Sequence, residues 1–425
     1  MDVITTAMTA AIADGGMDAA YTMLKSRLAG KSPRVDEAIA DLEQDPGSLS
    51  RQFAVSDALA AAGLAGDRYL RAAARNLVDE VDRRRALRPS AAVDRQGVVL
   101  QVFFATDRQP TGDRHPARQF GAARGELSYG SCEVGIGHDT LPDRPALPTQ
   151  LRRHARPDPD GHAVLLRAEV TAPQPFFPAV ADAVARAGGS ALLFVHGYRV
   201  SFEDAARRTA QIASDLHFAG VPVFYSWPSQ GRLSGYAVDE SNVEWTLPHL
   251  AAFLTGLVEQ TRVDQVYLLG HGMGARALAR VVAALTRDRP DLAPRLREII
   301  LAAPDLEAAV FRGELAPALA AVGSRITLYA SSGDETLQVA QRTRPYPRAG
   351  DSGDALVMAP GVETIDASDV DTSLIRASHD TGRRSALADM QQLIAGQLPP
   401  SQRAGLRAVD VPAGRYWTFN EREVS

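Results

Sequence analysis

The sequence predicts an α/β chain, a mostly parallel sheet covered by helices on both faces, preceded by a small all-helical domain. Three observations carry this. Short apolar runs alternate with amphipathic segments from Ala191 to Ala330, a pattern that specifies parallel strands joined by right-handed helical crossovers. One apolar strand, Gln265 to Leu269, runs through Gly270-His271-Gly272-Met273-Gly274 straight into a helical segment. The first 90 or so residues show helical spacing and no strand signal.

In order along the chain, apolar residues fall at helical spacing in Met17, Ala20, Tyr21, Leu24 and Leu28, then in Ala38, Ile39 and Leu42, with breakers at Gly15-Gly16, Gly30 to Pro33 and Pro46-Gly47. A run from Ser50 to Ala62 follows, and Asp67 is a candidate N-cap for a helix from Arg68 to Leu87. Val98 to Ala105 reads as a buried strand, with further strands at Gly125 to Tyr129, Cys132 to Ile136 and His162 to Val170. The alternating part then gives strands at Ala191–Val195, Val221–Ser226, Gln265–Leu269, Glu298–Ala302 and Arg325–Ala330. Between them come helices at Phe202–Phe218, Leu247–Thr261, Ala275–Thr286 and Leu306–Ala320. Val362 to Ile365 is a last strand and Ala386 to Ile394 a closing helix. The tail from Leu406 is loop or strand, with Tyr416, Trp417 and Phe419 packing on the body. The expected domains are 1–92 and 93–425.

Composition narrows the function classes. With 46 basic and 51 acidic residues in 425, a net charge of −5, nothing favours nucleic acid or an anionic membrane as partner. One cysteine, Cys132, excludes a disulfide framework and a cysteine zinc site; no metal or other cofactor is expected. No apolar run has the length of a membrane span, and no basic segment followed by an apolar stretch marks a secretory leader. A cytoplasmic protein is the expectation.

The segment from Gln265 to Arg276 has the strand–turn–helix setting of a nucleophile elbow, in which a sharp turn presents a serine hydroxyl above the sheet. The middle position here is Gly272. Every part of an elbow is present except the reactive atom.

The runs Phe194-Val-His-Gly-Tyr-Arg-Val-Ser-Phe202, Tyr225-Ser-Trp-Pro-Ser229, His271-Gly-Met-Gly274, Ala303-Pro-Asp305 and Tyr329-Ala-Ser-Ser-Gly-Asp334 together resemble those of the bacterial α/β-hydrolase-fold proteins of the esterase/lipase superfamily. The similarity starts near Phe103-Phe-Ala-Thr-Asp-Arg108 and extends to Tyr416-Trp417. It implies the α/β-hydrolase fold, Gly272 at the nucleophile's place, Asp334 as the acid and His379 as the base, in the chain order of that fold. Asp305 and Asp366 also follow strands and are alternative acids. The resemblance further implies an oxyanion hole from the amides of Tyr198 and Met273, with His196, Gly197, Trp227 and His271 around the pocket. His196 is equally readable as a buried histidine bonded to backbone, and Trp227 as a packing residue. Asp239 to Asn242 is read as a helix cap rather than a lid. The helical segment more faintly resembles small bacterial adaptor domains.

Glycine carries no heteroatom, so no acyl-enzyme can form at position 272. Loss of the nucleophile from a triad costs on the order of 10⁶ in turnover and leaves ~10³–10⁴ over water from the remaining site. The expectation is therefore an esterase-derived protein, silent or nearly so, that still takes a small acyl or ester-like ligand. One alternative is an active ester hydrolase in which the serine has been exchanged for glycine. Another is a signalling or defence module whose residues 1–92 recruit a partner or self-associate.

Overall fold

The computed structural model describes residues 2–13, 19–44, 48–74, 77, 98–136, 163–232, 235–333, 337, 346–368 and 386–420. The chain divides into two compact units, Met1–Ser90 and Ala91–Ser425.

The first unit holds helices α1 (Val3–Ala13), α2 (Ala19–Leu28), α3 (Pro33–Gln44) and α4 (Leu49–Ala61), with a further helical run from residue 68. Asp67 caps that run, its Oδ1 accepting from the amides of Tyr69 (2.8 Å) and Leu70 (2.9 Å). The apolar stripes read from the sequence meet in one core of Ile4, Met8, Tyr21, Leu24, Leu28, Ile39, Leu42, Val55, Leu59 and Leu70. Glu43 ties α3 to α2 by accepting from Tyr21 Oη (2.7 Å) and Lys25 Nζ (2.6 Å).

The second unit is built on one sheet of eleven strands among the described residues. They are β1 (Val98–Pro110), β2 (Phe120–Ile136), β3 (Ala163–Thr171), β4 (Ser190–Val195), β5 (Val221–Ser226), β6 (Gln265–His271), β7 (Leu296–Ala302), β8 (Arg325–Ala330), β9 (Val362–Asp366), β10 (Leu406–Val411) and β11 (Gly414–Phe419). Their order is β10-β11-β9-β8-β7-β6-β4-β5-β1-β2-β3. From β11 through to β1 every neighbouring pair is parallel, and antiparallel strands close both ends. The alternation of strand and helix thus gives the expected α/β architecture. The helices are α5 (Pro173–Arg186), α6 (Phe202–Asp215), α7 (Tyr236–Trp245), α8 (Leu247–Gln260), α9 (Met273–Asp288) and α10 (Ala386–Ala395), with a short broken stretch between Ala308 and Ala320.

Several local expectations change. Gly125–Tyr129 and Cys132–Ile136 are one long strand, β2, because Gly130 and Ser131 stay paired with Phe104 and Phe103 of β1. A Cβ on Gly130 would stand 2.0 Å from the Glu169 carbonyl, so glycine there serves close strand approach and not a turn. The helix α5 has no counterpart in the sequence reading, although Phe176, Val180 and Val184 are spaced for one buried face and Pro173 suits a first helical turn. The stretch expected as one helix from Leu306 breaks into Ala308–Val310, a π turn Phe311–Leu315 and Ala316–Ala320. Asp239 to Asn242 lie inside α7 and do not cap a helix. The tail forms a hairpin, β10 with β11, that buries Phe419 and packs Trp417 on the sheet.

Towards the β9 end, one face of the sheet carries a charged network. Thr327 Oγ1 donates to Glu298 (3.2 Å), Arg403 donates to Glu363 (3.1 Å) and to Asp389 (2.8 Å), and Tyr329 Oη donates to Asp389 (2.6 Å). Burial pushes the Glu298 carboxyl up to about 8, against the pull of Arg325. Between the ordinary glutamate range and that value the folded chain holds a proton that the unfolded chain has released, so stability falls as pH rises through this window. Glu298→Gln should therefore match the wild type near pH 5 and exceed it above pH 8, by on the order of 3 kcal/mol. Urea unfolding at the two pH values checks this, and equal differences at both would remove Glu298 as the cause.

Candidate active site

In the sheet β4 stands between β5 and β6, so the chain leaves β4 towards one side and returns on the other. Such a switch point opens a crevice at the carboxyl ends of the two strands. The turn His196-Gly197-Tyr198 follows β4 there, and Gly272 follows β6.

Gly272 adopts φ 54° and ψ −118°, between the last residue of β6 and the first of α9. Its amide donates to the Ala302 carbonyl (2.9 Å), and its carbonyl accepts from the amides of Asp305 (3.1 Å) and Arg276 (3.2 Å). The neighbouring glycines are dictated by close approach. A Cβ on Gly270 would lie 2.6 Å from Ala275 Cα, and one on Gly274 would lie 2.2 Å from the His196 carbonyl oxygen. From the other side, a Cβ on Gly197 would meet His271 Nδ1 at 2.7 Å. The elbow and the turn after β4 are therefore in direct contact, bringing His196, Gly197, His271, Gly272 and Met273 together. Met273 is the first residue of α9, where an amide has no intrahelical acceptor.

Arg108, near the end of β1, is fully buried beside His196. It donates to the carbonyls of Val200 (2.7 Å), Ser229 (3.0 Å) and Gly121 (3.1 Å) and to Ser226 Oγ (2.8 Å). Burial lowers its guanidinium to about 10, with Asp239 opposing that shift, so it stays charged at neutral pH. One side chain thus holds the loops after β4 and β5 together. Asp239 of α7 completes the frame, accepting from Ser229 Oγ (2.6 Å) and the Gln230 amide (2.7 Å); burial lifts its carboxyl to about 6.

His196 is wholly enclosed. Its Nδ1 must donate to the Gly197 carbonyl (2.8 Å), which leaves Nε2 to accept from Ser226 Oγ at 3.1 Å, with Arg108 at 3.4 Å. Burial, reinforced by Arg108, holds its pKa well below the usual histidine value. The ring stacks on Trp227 at 5.1 Å, and Trp227 Nε1 donates to the His196 carbonyl (2.7 Å). Both nitrogens of the imidazole are engaged, so this is a neutral structural histidine. The same bonds occupy Ser226, while Ser201 caps α6 in a capping box with Asp204. Neither hydroxyl replaces the missing one.

Above the elbow, Tyr236 Oη donates to Asp305 Oδ2 (2.8 Å) and Arg348 Nε stands 3.3 Å from Asp305 Oδ1. Burial raises the Asp305 carboxyl, and Arg348 opposes the rise. Tyr198, nearly buried, meets the Tyr236 ring edge-on at 5.5 Å. Asp366, at the end of β9, accepts from the Ser368 amide (3.0 Å) and hydroxyl (2.7 Å). Asp334 and His379 lie outside the described residues. Among the described residues no group of His, Cys, Asp and Glu could hold a metal ion, and no helix is long and apolar enough to cross a membrane.

Sequence reasoning missed Tyr236 and Arg348, named Arg108 only within a run of residues, and read Asp239 as part of a helix cap. Only Arg108 left a signal, since Thr106-Asp107-Arg108 is a polar triplet closing an apolar strand.

No curated protein matches the chain. Among solved structures, a CIB-like hydrolase from Thermoplasma acidophilum is 18% identical over 42% of this chain and 76% of its own, with a TM-score of 0.25. The poly(3-hydroxybutyrate) depolymerase LpqC from Bordetella parapertussis is 12% identical over 72% of this chain and 92% of its own, with a TM-score of 0.34. Esterase B from Lactobacillus rhamnosis is 12% identical over 64% and 77%, with a TM-score of 0.29. Residues 1–99 match the Het-E N-terminal domain, which takes the place of the adaptor resemblance. Residues 179–394, half of the chain, match the family described as "Alpha/beta hydrolase of unknown function (DUF900)". The strand–elbow–helix core and its matching family together make this chain a member of the DUF900 α/β hydrolases.

Proposed function

We propose that the protein is a hydrolase-fold member whose crevice binds a small acyl or ester-like ligand without covalent turnover. The observation that carries this is the glycine at position 272, held in an elbow with φ 54° between β6 and α9. A carbonyl entering the crevice would be received by the amides of Tyr198 and Met273, main-chain donors that do not depend on the residue 272 side chain. Asp334 and His379 stand in the order of an acid and a base, and without a hydroxyl to activate they have no covalent step to serve.

The test is hydrolysis of short-chain p-nitrophenyl esters by the wild type and by His379→Ala. Both should run within tenfold of each other and no more than about 10³–10⁴ above the uncatalysed rate. A wild-type rate far above that level, collapsing in His379→Ala, would mean that the imidazole activates water directly and would end the silent reading.

A further inference from the structure

We infer that the outer edge of β3 pairs with the same edge of a second copy of this chain. Among the described residues β3 is the last strand of the sheet order, and its other side is hydrogen-bonded to β2. An open edge of this kind is a template for strand addition unless its side chains repel a partner. Here they attract one. Two copies of an edge strand related by a two-fold axis perpendicular to the sheet run antiparallel, and side chains face each other on the same side only where the two residue numbers sum to an even value. Centring the axis on Ala168 sets Arg167 opposite Glu169 of the second copy and Glu169 opposite its Arg167, both on one face.

The stretch Arg167-Ala168-Glu169 therefore reads basic, small, acidic, which is complementary to itself when reversed. Its charged and apolar flanks are accessible: Arg167 is 57% exposed, Glu169 54% and Val170 52%. Within one chain Arg167 and Glu169 already pair with each other on that face, and pairing across the axis keeps the same charges satisfied while closing the edge. Ala163 to Leu165 are buried, and Leu166, at the register shift between Leu165 and Arg167, separates them from this stretch.

The opposite edge of the sheet lacks this property. In β10 the charges are Arg407 and Asp410, whose numbers sum to an odd value, so no such two-fold pairing sets them against each other. The self-complementary edge is β3.

The experiment is sedimentation velocity on the full chain over a range of concentrations. The wild type should dimerise, Arg167→Glu and Glu169→Arg should each return it to monomer, and the double exchange Arg167→Glu/Glu169→Arg should restore the dimer. Within its own sheet Glu169 faces Ser131 and Arg167 faces Glu133, so Glu169→Arg adds no clash of charge there, while Arg167→Glu sets two carboxylates opposite each other and its fold is checked by circular dichroism. The register has its own readout, because directly opposed strand residues bring Cα atoms to roughly 4.5–5.5 Å, within disulfide reach. Cys132→Ala/Ala168→Cys should cross-link into a covalent dimer under mild oxidation, and Cys132→Ala/Val170→Cys should not. A wild type that stays monomeric overturns the inference, and so does a dimer that survives both single exchanges, which would assign association to another surface such as residues 1–92.

Discussion

Gly272→Ser is expected to give an esterase, with hydrolysis of p-nitrophenyl acetate rising by about three orders of magnitude or more above the glycine form. Nucleophile loss costs a triad on the order of 10⁶, and a site without recent use for a hydroxyl should recover part of that and not all. The backbone is already set for it. At φ 54° and ψ −118° a side chain costs on the order of 1–3 kcal/mol, a load that a domain with about 5–15 kcal/mol of stability carries. The close contacts around the turn fall on Gly270 and Gly274, which the change leaves untouched. Two controls bind the result to the assigned chemistry. The serine form should take up one equivalent of a fluorophosphonate by mass while the glycine form takes none, and adding His379→Ala should return the rate to baseline. A folded serine form without gain in rate or label would show that base and elbow do not converge.

The second large effect concerns stability. Arg108→Met should destabilise the α/β unit by about 3–5 kcal/mol, the scale of breaking a buried charged network by removing one partner. The change strands the carbonyls of Val200, Ser229 and Gly121 and leaves Asp239, whose charge faces the guanidinium, without compensation. Arg108→Lys should recover little, because one ammonium cannot reach five acceptors spread over β2, β5 and the loops after β4 and β5. All three tryptophans, Trp227, Trp245 and Trp417, lie in the second unit, so their fluorescence during urea unfolding follows that unit alone. A loss below about 1 kcal/mol would mean that water replaces the guanidinium, and the loops after β4 and β5 would then need another support.

Local pattern carried far in this chain. The strands β4 to β8 were legible because each is a short apolar run bounded by turn residues, and α9 because its apolar residues follow Gly272 at helical spacing. The hairpin β10–β11 and the unity of β2 were not, since they depend on which strand lies alongside. Gly130 reads as a breaker in sequence and is a contact residue in the sheet. His196 shows the same division: its position after β4 was plain, while its engagement by Gly197, Ser226 and Arg108 joins residues up to 88 positions apart.

By itself, the sequence determined the fold class, the place of the strand–turn–helix segment and the glycine at its centre, because periodicity, glycine spacing and side-chain chemistry are properties of neighbouring residues. Only the tertiary structure decided that His196 is a neutral packing residue, that Arg108 braces the loops beside the elbow, and that Asp305 is engaged by Tyr236 and Arg348. Those outcomes depend on burial and on partners distant in the chain, and burial is what fixes both the protonation state and the free hydrogen-bonding capacity of a polar group.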